Sequence, residues 1–324
     1  MYAAAINLRG GVSPRDTRLR GQSIIEYVPI IALIGLVIVF AGPGVAGAIR
    51  NQFNLVGNTL NSGTNGGTEG CGASGGGSTG ADSATVQAAI AKDAKDWTLD
   101  EQKAVAEDIA AKGEASPAYA KTKAAMDAGT EWSEKLTNRH SMTYKIIGIN
   151  HDDLADGSGK AGLTFEATNA VMGDDIVNES YTNIGGWEKS RLRYMLNSGY
   201  LWSLLPSKLQ SKVKPVTKMT DNLGGGKGGT PSTTKEKLFL LSTTEIYGDM
   251  QSDGTQYEYY AAKGVTSRDY SVPSACAGSS HWLRSIYRTG LQFCYVAEDY
   301  SPRAGDWSFI GATSKMSVCP AWCF

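Results

Sequence analysis

Apolar positions are spread unevenly along the chain. Val28 to Ala41 is an apolar run, and Gly42, Pro43 and Gly44 are the soft interruptions in its extension to Ala48. Roughly 20 helical residues, at about 1.5 Å each, cross a bilayer core, and this run reaches that length. It predicts a hydrophobic helix over 22–57, with its last turns leaving the membrane. Gly, Ser, Thr and Asn then dominate 58–81 with almost nothing to bury, which predicts a flexible tether.

The pattern changes again at 82. Helix signals fill 82–140: Asp82 as a cap for a helix running to Lys95, Thr98 with Glu101 at capping-box spacing, Gly113 as a stop, Ser116-Pro117 as a second start and Gly129 as its end. Alanine is abundant and large apolar residues are sparse, so this region reads as a small helical stalk. From 141 to 324 the pattern is that of a globular domain. Met142–Ile149, Leu163–Thr168, Val213–Thr220, Leu238–Leu241, Trp282–Ser285, Phe293–Val296 and Met316–Phe324 read as strands. Glu188–Asn197 is amphipathic and helical, with Leu192, Met195 and Leu196 inward, and Pro206 opens a second helix over Ser207–Lys212. Leu223–Thr234 is a glycine-rich loop that lacks the Gly-x4-Gly-Lys-Ser/Thr of a phosphate loop. The fold class expected is α+β, behind an N-terminal transmembrane or assembly helix.

Charge and cysteine content narrow the function. Lys and Arg number 31 against 32 Asp and Glu, so no basic excess points to nucleic acid. The three histidines (His140, His151, His281) are scattered, and neither a metal cluster nor a cofactor motif emerges. There are five cysteines. In an exported chain, Cys276, Cys294, Cys319 and Cys323 are possible disulfide partners, whereas Cys71 in the tether suits a free or intermolecular thiol. Cys319 and Cys323 span roughly 13 Å of strand, too far to bond each other. Fifteen tyrosines and seven tryptophans suit either a core or a recognition surface on Gly/Ser loops.

The anchor carries one residue that a plain anchor does not need. Glu26 lies two positions before the apolar run, and an acid within a membrane costs about 3 kcal/mol. Arg9, Arg15, Arg18 and Arg20 precede it and would stay cytoplasmic. Arg20-Gly21, then Gln22-Ser23-Ile24-Ile25, then Glu26-Tyr27 and an apolar helix resembles the processing site of type IVb pilins of the Flp kind. The resemblance implies cleavage after Gly21 by a prepilin peptidase, a new N-terminus at Gln22, and assembly roles for Glu26 and Tyr27. In a dry helix bundle, Glu26 of one subunit would neutralise the new α-amino group of a neighbour. The leader would be 1–21, and its loss leaves 27 basic and 31 acidic side chains. Two plainer readings compete: a secretory signal cut at Ala46-Gly47-Ala48, and a simple anchor.

A second resemblance covers Thr143 to Phe324. Gly185-Gly186-Trp187-Glu188, Leu205-Pro206-Ser207-Lys208-Leu209-Gln210, Lys214-Pro215-Val216-Thr217-Lys218, Leu238-Phe239-Leu240-Leu241-Ser242, Trp282-Leu283-Arg284-Ser285 and Val318-Cys319-Pro320-Ala321-Trp322-Cys323-Phe324 are similar to a bacterial family of uncharacterised extracellular domains. That family resembles the fold shared by C-type lectins and formylglycine-generating enzymes. The likeness implies a buried or half-buried hydrogen-bonding role for Arg284 and a core position for Trp282. It does not carry function: the calcium-binding triplets of true C-type lectins are absent, and Cys276 and Cys294 match no oxidase position. A display surface remains. Ile286, Tyr287, Arg288, Thr289, Gln292, Tyr300, Arg303, Trp307, Ser308, Phe309 and Ile310 are the ligand-binding candidates, because exposed Trp, Tyr, Arg and Phe make binding hot spots. Ile286 to Gly311 also resembles the variable region of lectin-like proteins that retroelements diversify.

The expected function is therefore adhesion or display on a pilus, with other pilin subunits and the membrane as partners of the helix. An extracellular protein or glycan is the expected ligand, at the cell surface and without enzymatic activity. A receptor that never polymerises and a formylglycine-type enzyme are the alternatives.

Overall fold

The computed structural model describes residues 83–170, 172–220, 222, 231–248, 250, 252–267, 279–287, 290–297 and 307–324. The anchor with Gly21, Gln22, Glu26 and Tyr27, the tether with Cys71, and Asp82, Cys276, Arg288, Thr289, Tyr300 and Arg303 lie outside them. Among the described residues no helix is long and apolar enough to cross a membrane.

Three helices come first. Ser83 caps α1 (Ala84–Ala91) by accepting the Val86 N–H at 3.2 Å. Thr98 and Glu101 close the expected capping box on α2 (Leu99–Lys112), and Gly113 ends it. Gly129, in the left-handed conformation at φ 64°, ends α3 (Tyr119–Ala128).

Strands β1 (Glu131–Lys135), β2 (Ser141–Ile149), β3 (Asp153–Leu154), β4 (Leu163–Ala167) and β5 (Asp174–Asp175) follow. Next come α4 (Arg191–Asn197), α5 (Tyr200–Leu204), α6 (Ser207–Gln210), β6 (Val216–Thr220), β7 (Ser232–Glu236), α7 (Thr243–Tyr247) and α8 (Glu258–Ala262). The chain closes with β8 (His281–Ile286), β9 (Gln292–Val296), β10 (Trp307–Gly311), β11 (Met316–Ser317) and β12 (Ala321–Cys323). The strands form three sheets, ordered β1-β2-β4-β12, β10-β9-β8-β11-β5 and β3-β6-β7. The architecture is α+β.

The helices at 84–128 are part of this domain, which corrects the stalk. β1 pairs with β2 along its whole length, where helix had been expected. Trp97, just before α2, stacks on Trp132 of β1 at 6.2 Å, and Trp132 stacks on Tyr144 of β2 at 6.1 Å. Tyr144 in turn meets Trp322 of β12 at 5.1 Å. One aromatic column thus runs from the first helices to the last strand. Gly162 shows how close the approach is: a Cβ there would sit 1.8 Å from the Ala106 carbonyl oxygen of α2.

Other expectations shift in detail. Leu238–Leu241 is wholly buried, yet it is irregular chain touching β12 through one bridge at Phe239. The strand is the polar stretch Ser232–Glu236 before it, inside the region read as loop. Helix Glu188–Asn197 is broken at Ser190, which caps α4 after a single turn at Trp187–Lys189. Met316–Phe324 is split around Pro320 into β11 and β12, which belong to different sheets. Val213 and Lys214 precede Pro215, and β6 starts after it.

Candidate functional site

The outer strand β10 builds an aromatic strip. Trp307, Phe309 and Gly311 alternate onto one face of the strand. Across β9, the Tyr287 ring comes over from the end of β8 and lies on Phe309, with centroids 3.6 Å apart and planes 9° from parallel. At the far end the Tyr181 ring covers Gly311, where a Cβ would come within 2.0 Å of it. Phe309 remains 38% exposed and Tyr181 54%. Ile184 and Leu291, at 83% and 39%, lie in the two loops that meet beside the strip.

Asn183 joins those loops. Its Nδ2 donates to the carbonyls of Tyr287 and Gln292, both at 2.9 Å, and its backbone N–H donates to Gly290 at 3.0 Å. The Ala312 N–H donates to the Leu291 carbonyl at 3.0 Å, tying the turn to the end of β10. The strip therefore stands on hydrogen-bonded backbone. A rigid, exposed row of rings loses little entropy on binding, which is what a recognition surface needs.

Beneath β8 lies a buried ion cluster. Arg284 is fully buried and donates to the carbonyls of Leu240 (2.9 Å), Met219 (3.0 Å) and Asp253 (2.7 Å). It also grips Glu245 with both Nη atoms, at 2.8 Å for one of them. Glu245 in addition closes the capping box of α7 with Ser242 and lies 2.5 Å from Lys218 Nζ. Lys218 reaches Asp152 at 2.6 Å, whose other oxygen accepts from Thr164 (2.6 Å) and the Tyr257 hydroxyl (2.8 Å).

Burial works against charge on both acids of the cluster. The cations beside them overrule it: Lys218 and His151 hold Asp152 well below the usual carboxylate range, and Arg284 and Lys218 lower Glu245. Burial would likewise lower Lys218, but Asp152 and Glu245 keep its ammonium raised. With Arg284 and Lys218 matched to Glu245 and Asp152 and all four side chains buried, the cluster is scaffold for the sheet that presents the strip. Arg284 and Trp282 take the buried places expected of them; the Trp282 indole donates to the Asp175 carbonyl at 2.8 Å.

The candidates read from sequence divide. Tyr287, Gln292, Trp307, Ser308, Phe309 and Ile310 lie on β9, β10 or the turn beside them, partly or well exposed. Ile286 is corrected: it is 2% exposed and packs in the core, because β8 is buried along its whole length. Cys294 and Cys323 are corrected as disulfide partners, because both are free and buried. Burial pushes both thiols above their usual range. Cys319 is disulfide-bonded. Among the described residues no cluster of His, Cys, Asp and Glu could hold a metal ion.

Tyr181, Ile184 and Leu291 were missed. The available signal was slight: single large apolar residues in Asn-, Thr- and Gly-rich loops, with no partner at strand or helix spacing.

Residues 166–321 match the model of a domain of unknown function, DUF6273. No curated protein and no solved structure matches the chain.

Proposed function

We propose that the chain is a pilin-like surface subunit whose C-terminal domain, of the C-type-lectin-like class, binds an extracellular protein or glycan. The observation that carries the assembly half is Gly21-Gln22 followed by Glu26-Tyr27 and the apolar run to Ala48. An acid at the mouth of a membrane helix is costly unless a counter-charge meets it, and a neighbour's α-amino group at Gln22 would be that charge. A prepilin peptidase would cut after Gly21, and the helix would hold the subunit in the membrane until it joins other pilin subunits. The tether at 58–81 gives the domain room beside a packed helix bundle.

The binding half rests on the strip around Phe309. Its frame of strands and Asn183 contacts can stay fixed while the ring-bearing positions vary, which suits a diversified surface at 286–311. The domain binds and does not catalyse in this reading.

The intact mass and N-terminal residue of the protein purified from cells test the proposal. A chain beginning at Gln22 supports pilin-type processing. A chain beginning after Ala48 sinks it and leaves a secreted receptor. Substituting Glu26 by Ala should then abolish assembly while membrane insertion persists.

A further inference from the structure

A concavity elsewhere on the domain shares no lining residue with the aromatic strip. It is a cleft of about 610 Å³ between α4, the strand β7 and the chain around Pro215. Lys189, Arg193, Tyr194, Lys235 and Lys237 line it together with one acid, Glu188. That volume suits a small ligand of a few rings, not a duplex or a folded partner.

The cations gather there for a local reason. β7 alternates, so Lys235 is exposed on the side opposite Glu236, and Lys237 follows the end of the strand, half-buried. Glu236 itself is fully buried and spends its oxygens inward, on Arg193 Nε (2.5 Å), Asn197 Nδ2 (2.5 Å) and the Trp187 indole (3.2 Å). It fixes the guanidinium of Arg193 but leaves the lysines uncompensated. Among the described residues no carboxylate lies within ion-pair distance of Lys189, Lys235 or Lys237. The Lys237 ammonium is instead held 4.3 Å over the Trp202 ring. Glu188 turns a carboxylate oxygen to Ser232 at 3.3 Å. Lys189 and Lys235, which have no carboxylate partner among the described residues, therefore line one cleft with Lys237, whose ammonium rests on Trp202, in a chain whose net charge is −1. Like charges that line one cleft repel one another, and a bound anion relieves that repulsion.

Tyr194 adds the second half of the chemistry. Its ring is 62% exposed at the same cleft. An exposed tyrosine beside these cations offers an apolar face and a hydroxyl together. We infer that this cleft binds an acidic saccharide: a sugar ring laid on Tyr194 with its carboxylate or sulfate among Lys189, Lys235 and Lys237. The inference draws only the extracellular source of such a ligand from the proposed surface role.

The test is calorimetric titration of the full-length protein, in neutral detergent, with a trigalacturonate, a heparin-derived tetrasaccharide and neutral maltotriose. We expect saturable binding of one acidic saccharide, weakening as salt rises, and none of maltotriose. The two acidic probes distinguish carboxylate from sulfate. Lys235→Gln and Lys237→Gln together should weaken that binding by at least about tenfold, since each removes a charge-assisted contact. Tyr194→Ser should weaken it several-fold, whereas Phe309→Ser should leave it unchanged. Equal binding of maltotriose, equal binding of poly-glutamate, unaltered affinity in the lysine variant, or no binding of either acidic probe would each overturn the inference. A chain that begins at Gln22 and binds no acidic saccharide refutes the cleft alone; a chain that begins after Ala48 yet binds through Lys235 refutes only the assembly reading.

Discussion

Tyr287 and Phe309 meet face to face across an intervening strand, 3.6 Å apart, at the solvent edge of the sheet. Phe309 is 38% exposed and Tyr287 half-buried, so the pair contributes modestly to folding: stacked aromatic pairs are worth about 0.5–1.5 kcal/mol. Phe309→Ser should lower stability by about 1 kcal/mol in urea unfolding, and the Tyr287 ring protons should lose their upfield shift. Cell adhesion through this domain should fall far more, by about tenfold or beyond, because a truncated hot spot costs roughly 2 kcal/mol or more. Unchanged adhesion with a lost ring shift would remove the strip from the binding surface.

Arg284 and Glu245 should behave in the opposite way. Arg284→Met strands a buried carboxylate and three backbone carbonyls, at a cost of about 3–5 kcal/mol. Lys218 still faces Glu245 in that variant, which places the loss toward the lower end. Adding Glu245→Gln removes the stranded charge and should recover part of the loss, though not the carbonyls of Leu240, Met219 and Asp253. Urea melts of both singles and the double give the coupling, and additive effects would mean that the pair does not act as a unit.

How much of this was legible follows from what each residue signals locally. Thr98, Glu101, Gly113 and Gly129 act within one turn of themselves, and their caps form where spacing puts them. The places of Trp282 and Arg284 were legible only through the resemblance of Trp282-Leu283-Arg284-Ser285 to a family of extracellular domains. The stalk misled because α2 docks through small residues, Ala106 against Gly162, and no periodicity within 82–140 names a partner sixty residues on. β7 was hidden because Ser-Thr-Thr-Lys-Glu looks like loop; its inward Glu236 is paid for by Arg193 and Asn197, which only the fold brings near. Leu238–Leu241 shows the converse: four apolar residues buried on all sides need not pair as a strand. Tyr181 joins the strip through contact with Gly311, 130 residues away, and nothing in its own neighbourhood says so.

Glu166 sets a pH dependence. Burial first, with Glu245 adding to it, pushes its carboxyl up to about 7 against the pull of Lys145 and the Tyr260 hydroxyl. Between its ordinary value of 4.5 and about 7, the folded chain keeps a proton that the unfolded chain releases. Stability therefore falls as pH rises through that window, by about 3 kcal/mol from this group, and is unaffected by it below the window. Asp152 and Glu245 act in the other direction: their folded values are depressed, so their contribution is lost as pH falls below the ordinary carboxylate range. Melting temperature should peak near pH 5. Glu166→Gln should flatten the neutral limb while leaving the acid limb intact, and an unchanged neutral limb would take Glu166 out of the account.

Gly162→Ala tests whether the first helices belong to the domain. Its added Cβ would meet a backbone oxygen of α2, which cannot rotate away as a side chain could. Either the helix moves off the sheet or the variant unfolds, and overpacking of this kind costs about 1–3 kcal/mol or more. The loss should appear as a single cooperative transition at lower urea, with α2 and β4 amides losing hydrogen-exchange protection together. An independent stalk would behave otherwise, with Gly162→Ala leaving the protection of α2 as it was.

Two free thiols among the described residues offer a last check on the closing strands. Cys294 of β9 and Cys323 of β12 are fully buried, and burial holds both thiols above their usual range, so neither an open path nor a thiolate is available to a reagent. Cys323 is further enclosed by Thr164 and Asp152, at 3.3 and 3.5 Å from its sulfur. Iodoacetamide added to the native protein should leave both unmodified for hours, and peptide mass mapping after unfolding without reductant should find both alkylated and Cys319 protected in its disulfide. Rapid native labelling at Cys323 would mean that β12 opens readily, and the aromatic column through Trp322 could not then be the core that joins the first helices to the end of the chain.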